Sequence, residues 1–174
     1  KAPIHWQMGT FPTGMGQHPV VNVSWTDARA YAEWCGARLL TEAEWERAAK
    51  GPEEYPYPWG DRFIENERCN SNNAIGMTTP VNEFPEGRSS FGIWDMSGNV
   101  YEWCWDCYDD EFYESSPSSN PRGPDGGQEH VIRGGSFGET RAGLRVTHRA
   151  SCAESATRDT IGFRIGMSAD DSSS

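Results

Sequence analysis

The stretch TDARAYAEWCGARLLTEAEWERAAKG, residues 26–51, decides the fold class, because it holds the two readable helices of the chain. In the first, Thr26 and Asp27 offer a side-chain cap and a negative charge to the open N–H groups of a helix start. Ala28, Tyr31, Ala32 and Cys35 fall at i, i+3, i+4 and i+7. That spacing predicts one buried face and makes Cys35 a core residue rather than a reactive one. Gly36 can take the left-handed stop. In the second, Thr41 and Glu44 have capping-box spacing, Trp45, Ala48 and Ala49 face inward, and Gly51 ends the helix.

Working outward, no segment after Lys50 shows helical periodicity. PEEYPYPWGD (52–61) is broken by proline, and NERCNSNNAIGMTTPV (66–81) is polar and turn-rich. VYEWCWDCY (100–108), VIRGGSF (131–137), GLRVTHRA (143–150) and IGFRI (161–165) read as short strands. The Ser/Pro/Gly-rich segment 115–128 is a surface loop, because strand-like sequence resumes after it. Two helices followed by short twisted antiparallel strands and long loops make an α+β domain, with residues 1–174 as one unit.

The bulk numbers narrow the function. A net charge of −11 argues against nucleic acid as a partner, since phosphate contacts need clustered Lys and Arg. No apolar run approaches the ~18 residues that membrane insertion needs. The opening KAPIHWQMGTF has no apolar stretch of the signal-peptide kind. Five Cys is an odd number, and a chain of this size needs no disulfide staples, which favours a reducing, cytoplasmic setting. Counts of 19 Gly, 11 Pro and 8 Trp fit a loop-rich domain whose buried area comes from tryptophan.

HPVVNVSWTDARAYAEWCGARLLTEAEWERAAKG, YPWGD, TTPVNEFP, FGIWDMSGNVYEW, RGGSF and IGFR occur in that order between His18 and Arg164. Together they resemble the formylglycine-generating-enzyme (sulfatase-modifying factor) family. The resemblance implies that family's variant of the C-type-lectin-like fold, with only seventeen residues ahead of the first motif. It also implies a pair of cysteines after GGS that bind copper and oxidise a substrate cysteine. Thiolates are the nucleophiles and the soft ligands in such chemistry. Glu139 and Leu144 stand at the matching positions, so no catalytic residue and no catalytic metal are expected. Cys152 lies beyond Leu144 and does not restore the pair.

Two inorganic possibilities remain in the sequence. In DMSGNVYE, Asp95 and Glu102 bracket a turn containing Gly98 and Asn99, and calcium favours such mixtures of carboxylates and carbonyls. The family's calcium site lies on this motif. Carried over, it would use the Asp95 and Glu102 side chains and the Gly98 and Val100 carbonyls, as a structural cofactor. A second family site would fall near Asn70, Ser71 and Asn73, where the chain keeps no carboxylate, and no ion is expected there. Cys104 and Cys107 have CxxC spacing but lie on a strand with no second ligand pair, which predicts two packed or half-exposed thiols. His5, His18, His130 and His148 are isolated and read as surface or loop residues.

The frame around the lost cysteines is intact: Arg133, Gly134, Gly135, Ser136, Arg145, Arg149, Gly162, Phe163 and Arg164. Its arginines can tie loops to carboxylates and carbonyls. Between these points lie Gly138, Glu139, Thr140, Gly143, Thr147, Ala150, Cys152, Ser155, Thr157, Asp159 and Thr160. This arrangement resembles the variable proteins of diversity-generating retroelements, which implies a mutable ligand-binding surface on a lectin-like scaffold. Two functions stay open. One is a non-catalytic module binding a protein or other macromolecule through 138–160, within the wider region 131–165. The other is a metal-dependent oxidase or oxygenase with its metal held elsewhere.

Overall fold

A computed structural model describes residues 3, 5, 6, 9–64 and 67–168. The first helix, α1, spans Trp25–Trp34 and is capped by Ser24 rather than by Thr26. Ser24 Oγ accepts the Asp27 N–H at 3.1 Å, and the Asp27 carboxylate accepts the Ser24 N–H at 3.2 Å. The helix therefore starts earlier than expected, and its inward stripe is Trp25, Ala28 and Ala32. Tyr31 is half exposed, and Cys35, at the C-cap, is exposed, which corrects its reading as a core residue. The second helix, α2 (Glu42–Lys50), has the expected capping box. Glu44 N–H donates to Thr41 Oγ1 and Thr41 N–H to the Glu44 carboxylate, at 3.3 and 2.9 Å. Trp45 and Ala49 are buried and Ala48 is half-buried, and Gly51 turns the chain at φ 66°.

Between the helices, Arg38–Leu39 forms a strand, β1, too short to leave an alternation signal. It pairs antiparallel with β6 (Ile165–Gly166). The main sheet has the order β4-β3-β2-β5, with β2 Tyr101–Cys107, β3 Glu129–Arg133, β4 Ala150–Ala153 and β5 Ile161–Phe163. β2–β3 and β3–β4 are antiparallel, but β2–β5 is parallel, so the main sheet is mixed. β5 does not fold back beside β4. It crosses to the opposite edge, and a crossover, unlike a hairpin, permits the parallel direction. A single helical turn, α3 (Phe112–Ser115), and a 3-10 turn at Pro85–Gly87 correct the expectation of no helix after Lys50. Both are too short for periodicity to reveal.

GLRVTHRA forms turns until Ala150 rather than a strand. Buried Leu144 and Val146 alternate with exposed Arg145 and Thr147, which imitates a strand pattern. The Val146 N–H, however, donates to Pro56 O, and the His148 N–H to Arg145 O, so no ladder forms. One core cluster joins α1 to β2, β3 and β5 through Trp25, Ala28, Trp103, Ile132 and Ile161. A second packs Trp45 and Ala49 of α2 on Met96, Cys104, Val131 and Val146.

Candidate functional site

Antiparallel register places Glu102 of β2 opposite Arg133 of β3. Arg133 is fully buried and ion-pairs with Glu46 and, at 3.6 Å, with Glu42. It also donates to the carbonyls of Val146, at 2.8 Å, and His148. Arg149 forks onto both Glu42 oxygens at 2.7 and 2.9 Å, with its guanidinium over Tyr108 and Tyr113. Arg164 forks onto Glu102 and donates to Trp94 O at 3.0 Å. Trp45 serves both groups. Its Nε1 donates to Glu102 at 2.7 Å, and the Arg133 guanidinium lies 5.3 Å from its ring centroid. Three of the four frame arginines thus tie loops to carboxylates and carbonyls, while Arg145 is exposed.

Gly135 shows why this frame needs glycine. Its φ is +74°, and a Cβ there would meet Gly143 O and Leu144 Cδ2 at 2.8 Å. The RGGS segment therefore passes against the backbone of the loop it carries.

The eleven candidate residues do not share one environment. Thr140, Thr147, Ser155, Thr157 and Asp159 are exposed, and Gly138 and Thr160 are half-buried. Gly143 and Cys152 are buried, which removes them from any surface. On β4, Ala150 pairs with Ile132 and Cys152 with His130, so both share the inward face of the strand and pack in the first core cluster. The opposite face of β4 carries the half-buried Ser151, whose hydroxyl donates to Glu129, and the exposed Ala153. The half-buried Glu139 carboxylate lies over Gly143. The buried Tyr101 phenol is pushed above its ordinary range, by burial first and then by Glu139.

The calcium expectation meets an obstacle at Glu102. Its carboxylate is 5% exposed, and both oxygens accept from Arg164, with Trp45 Nε1 as a third donor. A guanidinium already supplies the positive charge, so the Asp95/Glu102 pair does not fit a calcium ion. Asp95 sits at φ +56° and accepts from the Asn82 N–H at 3.3 Å. Burial, followed by repulsion from Glu102, raises its carboxyl to about 6, against the opposing pull of Arg164. The discounted neighbourhood behaves differently. Asn70 Oδ1 and Ser71 Oγ are buried with no partner in hydrogen-bonding geometry, although Ser71 acts on the Cys69 thiol. Asn70 is otherwise held, its amide donating to Met77 O at 2.8 Å.

All five cysteines are free. Cys104 is buried and Cys107 half-buried, as expected of packed thiols, and burial pushes both upward. Burial likewise pushes Cys69 up to about 11. A protonated thiol is a poor nucleophile and ligand. His130 is not a surface residue: it stacks on Trp25 with centroids 3.8 Å apart and is 6% exposed. His18 bonds Thr78 across the loops at 2.9 Å. Sequence reading missed Glu42, because an acid in a first helical turn reads as a dipole partner rather than as a buried hub. It also missed Asp106, a buried carboxylate that accepts the Glu42 N–H at 2.7 Å and is raised by burial to about 6.

Comparison with known proteins places this geometry. Residues 2–169 match the family described as the sulfatase-modifying factor enzyme 1-like domain. The chain is 39% identical over 173 residues to a formylglycine-generating enzyme of Streptomyces coelicolor, covering 91% of this chain and 55% of that protein. It is 37% identical over 168 residues to the inactive C-alpha-formylglycine-generating enzyme 2 of Mus musculus, covering 87% and 49%. Variable protein 1 of Treponema denticola shares the fold with a TM-score of 0.72 at 22% identity, covering 90% of this chain and 74% of that one. The chain spans about half the length of these two curated relatives.

Proposed function

The chain belongs to the sulfatase-modifying factor enzyme 1-like domain family, and from that membership we propose that it is a non-catalytic, ligand-binding member. One observation carries this reading. The segment 138–160 is held through its backbone and through the side chains of Arg141, Arg149, Ser151 and Glu154, while no bond among the described residues uses the side chains of Thr140, Thr147, Ser155, Thr157 or Asp159. Arg133 holds the Val146 and His148 carbonyls, Asn72 N–H donates to Glu139 O, Val146 N–H to Pro56 O, and Asn22 N–H to Arg158 O. Any residue supplies those atoms. The side chains of Thr140, Thr147, Ser155, Thr157 and Asp159 are therefore free to differ without loosening the scaffold. The fold shared with a variable protein and the kinship with an inactive relative both support a binding role. So does the reading that Glu139 and Leu144 stand where the family carries its cysteine pair, since a carboxylate and a buried apolar side chain cannot perform thiol chemistry.

The partner is a protein or other macromolecule. The decisive assay is incubation with copper and a cysteine-containing sulfatase peptide, where no formylglycine is expected; turnover would sink the reading. Related copies that differ mainly at these exposed positions would support it. The oxidase alternative is tested by metal analysis of the purified protein, where stoichiometric iron or copper would revive it.

Calcium is proposed as a structural ion only, at the orphan oxygens of Asn70 and Ser71. A site built on neutral oxygens holds the ion weakly. Millimolar calcium should therefore raise the melting temperature, since it binds the folded state alone. Asn70→Ala should abolish the rise and Asp95→Asn should leave it. No shift with calcium or chelator removes the ion from the account.

A further inference from the structure

A cavity of about 600 Å³ opens between α1 and the β5–β6 edge, and none of the eleven candidate residues lines it. Its walls are aromatic: Trp6, Tyr31, Trp34 and Phe163. Tyr31 links two of them, 5.8 Å from Trp34 at an interplanar angle of 45° and 5.6 Å from Phe163 at 69°. Rings inclined in this way do not stack the space shut. Trp34 is 80% exposed, far more than an indole gains by being in water. Two charged residues also line the cavity. Arg164 is neutralised by its fork on Glu102, so it adds little net charge. Asp27 is different. Its Oδ2 takes both Ser24 bonds, and Oδ1 has no bonded partner among the described residues.

We propose that this cavity binds a small organic ammonium ion, of the quaternary or methylated class. Ring faces carry negative quadrupole potential and attract a diffuse cation whose methyl groups also suit an apolar wall. The Asp27 carboxylate supplies the one charge of the lining not paired with an opposite side chain, and a net charge of −11 concentrates cations near the surface. A compact hard cation has no such match, because the walls offer few oxygens. A neutral apolar ligand would fill the space without using Asp27 or the ring faces.

Choline and its neutral isostere 3,3-dimethylbutan-1-ol separate these cases by calorimetric titration of the whole chain. Choline should saturate, and the isostere should bind about tenfold or more weakly, the size of a desolvated cation–π contribution. Trp34→Ala should weaken choline several-fold while leaving the melting temperature unchanged, because the side chain is exposed. Asp27→Asn keeps a cap-forming oxygen and should also weaken choline, with a reduced salt dependence. Equal affinity for the two ligands, or no saturation by choline on the order of 50 mM, would overturn the proposal. Binding to phosphatidylcholine vesicles without binding to free choline would overturn it as well, by moving the ligand to a membrane headgroup. None of these outcomes bears on the 138–160 surface, so the two readings fail independently.

Discussion

At the facing positions Glu102 and Arg133 the β2–β3 ladder buries two charges of opposite sign, and each finds partners outside its own strand. Arg133 pairs with Glu42 and Glu46, and Glu102 pairs with Arg164 and Trp45 Nε1. Apart from Arg149, which shares Glu42 with Arg133, the exposed positions of 138–160 do the reverse. The exposed threonines, Ser155 and Asp159 have little to hold, and their backbone is held for them. In the ladder, side-chain identity is fixed by desolvation: a buried charge without its partner is costly, so no member can change alone. In the segment, identity is released because backbone groups carry the bonds. Under the proposed binding role, this contrast is what would let a rigid frame carry side chains free to differ.

The largest effect should come from breaking the ladder. Glu102→Ala leaves the half-buried Arg164 without its carboxylate and the buried Trp45 Nε1 without its acceptor. It should cost about 3–5 kcal/mol in urea denaturation. A loss under about 1 kcal/mol would show that the frame is not held by this pair and would dissolve the contrast.

A smaller effect is expected from pH. Asp106 and Asp95 are both raised to about 6 by burial. The folded state therefore keeps protons that the unfolded chain releases at lower pH. Stability from these groups should fall as pH rises through roughly 4 to 6, by about 1–3 kcal/mol per group. Glu44, lowered first by its Arg38 bond, acts in the opposite sense, its stabilisation being lost as pH falls below the ordinary carboxylate range. Asp106→Asn, which can still accept the Glu42 N–H, should flatten the decline between pH 4 and 6. An unchanged profile would show that Asp106 titrates normally and that the frame tolerates its charge.

The smallest effect sharpens the other half. Thr140→Ala, Thr147→Ala, Thr157→Ala and Asp159→Asn should each move stability by less than about 0.5 kcal/mol and should add independently. A combined loss of several kcal/mol would mean that these side chains belong to the frame.

Legibility followed the range of each signal. The α2 capping box, the β2 strand and the motif order were readable because their causes lie within a few residues, as with Thr41 and Glu44. The α1 cap was misplaced because Ser24, Thr26 and Asp27 are all good cap formers, and only the backbone at Ser24 chooses among them. Strand-like alternation at Leu144–Thr147 misled because burial without a ladder gives the same pattern. In the site, the frame arginines were named correctly, but their acids were not. Glu42 and Glu46 look solvent-facing until α2 is laid against β3.

By itself the sequence determined the family, the α+β class, the position of α2 and the absence of cysteines from the 138–149 segment, because these depend on residue identity and order. Only the tertiary structure decided which face of α1 is inward, that Arg164 forks onto the Glu102 carboxylate, and which of the eleven candidates reach solvent. Those outcomes depend on burial, and burial is set by groups such as Glu102, Trp45 and Arg164 that meet only once the chain has closed on itself.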